Sequence, residues 1–71
     1  MTHAEIGERI KEIRNAQKLT REQLAIKAGL SSKFIYEVEK GIKGLSVDSL
    51  IKIAKALECK CDEILMEDCS F

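Results

Sequence analysis

The sequence predicts an all-α fold of five short helices, on three observations. Apolar residues recur every three to four positions through most of the chain. Hydroxyl residues stand where helices would begin. The chain-breakers are four glycines, with no proline in 71 residues. A proline-free chain rich in Ile, Leu, Ala, Lys and Glu favours helix over strands and turns.

The first helix covers roughly residues 3–17, where Ile6, Ile10 and Ile13 line up as one apolar stripe. Thr20 then offers a hydroxyl N-cap, and Gln23 can reach back to it as a capping box, so the second helix opens at Arg21. Gly29 is suited to close that helix in the left-handed conformation. Ser31 caps the third helix, about residues 32–39, in which Ile35 and Val38 stand at i and i+3 before Gly41 ends the pattern. Ser46 caps the fourth. Its Val47, Leu50, Ile51, Ile53, Ala54 and Leu57 cover much of the girth and predict a centrally packed helix. The last, about residues 61–66, places Ile64 and Leu65 together.

The length fits one domain, residues 1–71, with no room for a catalytic domain beside a binding domain. Hydrophobic residues at 45% and charged ones at 34% make the chain globular rather than disordered. An aromatic share of 4% argues against a stacking platform for single-stranded nucleic acid. Net charge is zero but unevenly spread. Residues 18–43 carry six positive and three negative charges, and residues 44–71 carry three and six, which locates an anionic partner on the middle third.

No leader peptide or membrane-length apolar run is evident, so the chain reads as cytoplasmic with reduced thiols and no membrane partner. Cys59, Cys61, Cys69 and His3 raise the idea of a metal or redox sensor, but their spacing matches no familiar ligand pattern, and Cys59 fits a small core hydrophobe. No cofactor, metal or small-molecule substrate is therefore expected. Nor is an enzyme, since one His, no glycine-rich phosphate loop and no Cys with an evident base leave no nucleophile and base to propose.

Two short helices joined by a glycine turn, at about residues 21–39, outline a helix-turn-helix. Small Ala25 falls where the helices approach, Gly29 follows four residues later, and Ile35 and Val38 anchor the second helix to the core. The combination is specific where each part alone is weak.

In these stretches the chain resembles the Cro/CI-type (XRE-like) family of helix-turn-helix transcription regulators: IGERIKEIR at 6–14, LTREQLAIKAGLS at 19–31, IYEVEKG at 35–41 and LSVDSLIKIAKAL at 45–57. The resemblance implies a compact five-helix, lambda-repressor-like DNA-binding domain that inserts helix 3 in the major groove as a homodimer. It also implies a partly buried, structural ion pair between Arg14 and Glu39. The chain departs from the family pattern at Arg21, often glutamine; at Leu45, usually proline; at Glu58, usually glycine; and at Lys60, often a serine cap.

With Ile35 and Val38 facing inward, Lys33, Tyr36, Glu37 and Lys40 occupy the opposite side of helix 3, joined by Ser32 at its start. Lys33 suits guanine, Glu37 suits cytosine N4, and Tyr36 suits a phosphate or a thymine methyl. Arg21 and Ser31 at helix N-termini, with Lys40 and Lys43 after helix 3, are the expected phosphate contacts. The duller alternatives are a solvated face and solubilising charge; the surrounding motif favours the site.

The expectation is a repressor that binds an inverted-repeat operator on double-stranded DNA. Ile64, Leu65, Met66 and Phe71 are candidates for the dimer seam, although Ile64 and Leu65 would equally finish the monomer core. The alternative is a protein-interaction module of the same fold, such as an antitoxin or antirepressor, whose acidic Glu67 and Asp68 meet a basic partner.

Overall fold

The structure, a computed structural model, describes residues 2–60, 63 and 64. Four helices follow in order: α1 (His3–Ala16), α2 (Arg21–Ala28), α3 (Ser32–Glu39) and α4 (Val47–Ala56). No strand occurs among the described residues. Most of the expected fifth helix lies outside them, as do Cys61, Leu65, Met66, Glu67, Asp68, Cys69 and Phe71. Five helices are therefore not established; Glu63 and Ile64 are helical, and Glu63 N–H donates to Lys60 O at 3.0 Å.

Hydroxyl caps set the helix starts. Thr20 accepts from Gln23 N–H at 3.1 Å and donates its own amide to Gln23 Oε1 at 2.8 Å, completing the expected capping box. Ser31 and Ser46 accept from Phe34 and Ser49 amides, each at 3.1 Å. A second capping box, between Thr2 and Glu5, opens α1 and was not foreseen from the sequence pattern. The Thr2 amide donates to the Glu5 carboxylate at 2.9 Å and, with the Thr2 hydroxyl, holds that carboxyl below its ordinary pKa.

Left-handed residues set the ends. Gly29 closes α2 at φ 70°, and Leu30 N–H returns to Ala25 O at 2.9 Å. Beyond α4 the same conformation falls on Glu58, at φ 54°, where the resembling family has glycine. A side chain is strained there.

The core gathers Ile10, Leu24, Ile35, Val38, Ile53, Leu57 and Ile64, with Cys59 packed half-buried against it. Burial of Ile64 removes it from the dimer-seam candidates: its side chain completes this domain's own core. Two side-chain tethers fasten the C-terminal part to α1 and its turn: Gln17 Nε2 donates to Leu57 O at 2.6 Å, and Arg9 Nε to Glu63 O at 2.9 Å.

α1 crosses α3 at Gly7, where a Cβ would sit 2.0 Å from Val38 O. Only glycine lets the two backbones approach so closely. α4 packs against α2 and buries Ile53, Ala54, Ala56 and Leu57, but leaves Val47 74% and Ile51 40% exposed. It is thus central along one side only. At 100° per residue these two lie at the edge of an apolar arc wider than its neighbours cover.

Candidate nucleic-acid interface

α3 is pinned from three directions. Ile35 and Val38 enter the core, α1 lies against it at Gly7, and Glu39 at its last turn is buried with its side chain 1% exposed. A buried carboxylate is tolerable only if paired. Arg14 supplies the partner in a two-point contact, Nε to Oε2 at 2.6 Å and Nη2 to Oε1 at 3.3 Å, and its Nη1 also caps Leu19 O at 2.7 Å. The pair implied by the resemblance is therefore present, and more deeply buried than partly.

Pinning one side presents the other. The side chains of Ser32 and Lys33 are exposed and make no hydrogen bond or ion pair with the described residues. Tyr36 is 43% exposed, Lys40 is exposed, and Glu37 is half-buried. Ser31 lies exposed at the helix start, its oxygen occupied by the Phe34 amide.

Two groupings tie these residues together. Glu37 Oε1 stands 3.6 Å from Lys43 Nζ, and Lys43 in turn lies over the Phe34 ring at 5.8 Å from its centroid. Arg21 and Lys40 lie over the Tyr36 ring, at 5.2 and 5.7 Å. Of the expected residues, Arg21, Tyr36 and Lys40 thus come together, as do Glu37 and Lys43; the Glu37 carboxylate keeps lone pairs beyond the one facing Lys43 with which to accept from a base.

Arg21 holds a place that sequence spacing did not reveal. Its Nε donates to Glu39 Oε1 at 2.9 Å, so Glu39 joins two arginines, one from α1 and one from α2. The only available signal was chemical. A carboxylate accepts about four hydrogen bonds, more than the two of a bidentate contact with one arginine. Phe34, whose ring Lys43 lies over, was likewise missed because it is half-buried and reads as neither core nor surface.

The surface can therefore offer a cation at the start of α2, a hydroxyl and amides at the start of α3, and a row of donors and acceptors along α3. Such a row suits base edges in the major groove, while the flanking cations suit phosphates. The described residues hold no cluster of His, Cys, Asp or Glu fit for a metal, and no described helix is long and apolar enough to cross a membrane.

Comparison with known proteins agrees with the fold. Residues 10–64 match the helix-turn-helix family HTH_3. The immunity repressor protein of Bacillus phage phi105 is 38% identical over 63 residues, covering 89% of this chain and 44% of that protein; the chain spans less than half its length. Control protein C.BamHI of Bacillus amyloliquefaciens is 30% identical over 60 residues, covering 83% of this chain and 74% of its own. Among solved structures, the restriction-modification controller protein C.AhdI from Aeromonas hydrophila superposes with a TM-score of 0.86 at 32% identity, covering 87% of this chain and 94% of that one.

Proposed function

The chain belongs to the helix-turn-helix regulators of the Cro/CI (XRE-like) type, a family of transcription regulators rather than enzymes, and from that premise we propose that it is a cytoplasmic repressor. In this reading it binds an inverted-repeat operator as a homodimer, with α3 of each copy in the major groove. The observation that carries it is the exposure of Ser32, Lys33 and Tyr36 on the side of α3 opposite buried Ile35 and Val38. Lys33 and Glu37 read bases, Tyr36 packs on a thymine methyl, and Arg21, Ser31, Lys40 and Lys43 hold phosphates.

Two copies are favoured by the size of the reading surface. One such face spans only a few bases, and two faces about 34 Å apart on one side of the duplex double the sequence read. Within the described residues, exposed Val47 and Ile51 on α4 are one apolar surface available to a second copy.

A salt titration tests the proposal. A dimer touching about eight phosphates loses duplex affinity with a log–log slope near −7. A flat response points to the second reading, a protein-interaction module. That reading is favoured by Ile26, 80% exposed on α2 beside a shallow groove lined by Leu19, Gln23 and Lys27.

A further inference from the structure

The carboxylate of Glu39 receives more positive charge than it needs. Arg14 alone neutralises it with two hydrogen bonds, yet Arg21 also donates from Nε at 2.9 Å. One unit of positive charge is left over. It resides on Arg21, whose side chain is 33% exposed against 8% for Arg14. The Nη groups of Arg21 have no partner among the described residues, while its guanidinium carbon stands 5.2 Å from the Tyr36 ring centroid.

Arg21 and Tyr36 sit on different helices, so this contact links the first turn of α2 to the outward side of α3. Lys40 also lies over the ring, but from an exposed, flexible stem with no ion pair to hold it. Arg21 is held by a buried group. A half-exposed tyrosine with nothing against its ring samples several rotamers, and ordering it on binding costs affinity.

We infer that Arg21 is a positioning residue for Tyr36: Glu39 fixes the guanidinium, and the guanidinium fixes the phenol in the orientation in which it meets a base. The role rests on the DNA-binding reading above. It adds that Arg21 influences base preference as well as backbone affinity. A residue that only touches phosphate lowers affinity for every sequence by one factor; a residue that orients a base-reading side chain also changes the ratio between sequences.

Tyr36 is the chain's one tyrosine and there is no tryptophan, so tyrosine emission reports this ring alone. Acrylamide quenching of the free full-length protein is compared for wild type, Arg21→Lys and Arg21→Gln, with thermal melting as the folding control. The same three are then titrated with a preferred duplex and with single-base variants of it. Arg21→Lys keeps the cation but loses the planar fork; Arg21→Gln keeps a donor without charge. Expected are a clearly larger quenching constant in both variants and about a threefold to tenfold loss of discrimination at the base next to Tyr36, with other positions unaffected. Tyr36→Leu loses discrimination at that same position. Equal quenching in all three proteins, or a uniform loss across the duplex series, overturns the positioning role while leaving DNA binding intact. Failure of the wild type to prefer any duplex overturns the DNA-binding reading and, with it, the role built upon it.

Discussion

The inward and outward sides of α3, with the turn that follows it, answer opposite demands. Inward, Ile35, Val38 and Glu39 have one permitted arrangement: apolar side chains without solvent, a carboxylate closed by Arg14 and Arg21, and a backbone against which only Gly7 fits. Outward, the side chains of Ser32 and Lys33 are bound to nothing described, and Tyr36, Glu37, Lys40 and Lys43 are held by exchangeable contacts between 3.6 and 5.8 Å. The difference teaches how so short a helix can free one side for recognition. Rigidity is concentrated on one side so that the other can change residues without changing the fold.

Substitutions on the inward side should therefore act on stability, and the largest effect is expected at Glu39. Glu39→Ala leaves buried Arg14 without its counter-charge and should destabilise the domain by about 3–5 kcal/mol in chemical denaturation. A loss under about 1 kcal/mol would mean that Arg14 is solvated and the pair is not what pins α3. Gly7→Ala comes next. A methyl 2.0 Å from Val38 O must push α1 off α3, for an expected cost of about 3 kcal/mol, read as a lower melting temperature. Unchanged melting would break the claim that the two backbones touch.

On the outward side the effect should fall on recognition instead. Lys33→Ala should keep the melting temperature of the wild type and remove about 1–3 kcal/mol of discrimination at a single base position in duplex competition. Destabilisation with unchanged base preference would reverse the assignment of the two sides. The smallest change is expected away from both. Glu58→Gly relieves a left-handed side-chain conformation at the end of α4 and should stabilise by about 1 kcal/mol with DNA affinity unaltered.

Helix starts were legible because capping is local chemistry: Thr20 with Gln23, Ser31 and Ser46 each announce a helix within four residues. The turn was legible because Gly29 is the residue type that a φ of 70° asks for. Contacts between helices were less so. Gly7 carries no hint in its neighbours that α3 will lie across it, whereas Thr2 and Glu5 show the same capping-box spacing as Thr20 and Gln23 and were equally open to reading. α4 read as apolar around much of its girth, yet burial depends on which arc its neighbours cover, so Val47 and Ile51 came out exposed.

In the site, the residue types on α3 followed from helical periodicity once Ile35 and Val38 were placed inside. The bond from Arg21 to Glu39 did not, because eighteen residues separate them and no local pattern pairs an N-terminal arginine of one helix with a C-terminal carboxylate of the next.

Selection of bound sequences from a random duplex pool tests the central claim most directly. If the free side of α3 reads bases in two symmetry-related copies, the wild-type protein enriches a palindrome whose half-sites lie about 34 Å apart, and the Lys33→Ala protein enriches the same palindrome with one position in each half relaxed. Enrichment of no sequence, or of one that is identical in every position for the two proteins, would contradict it.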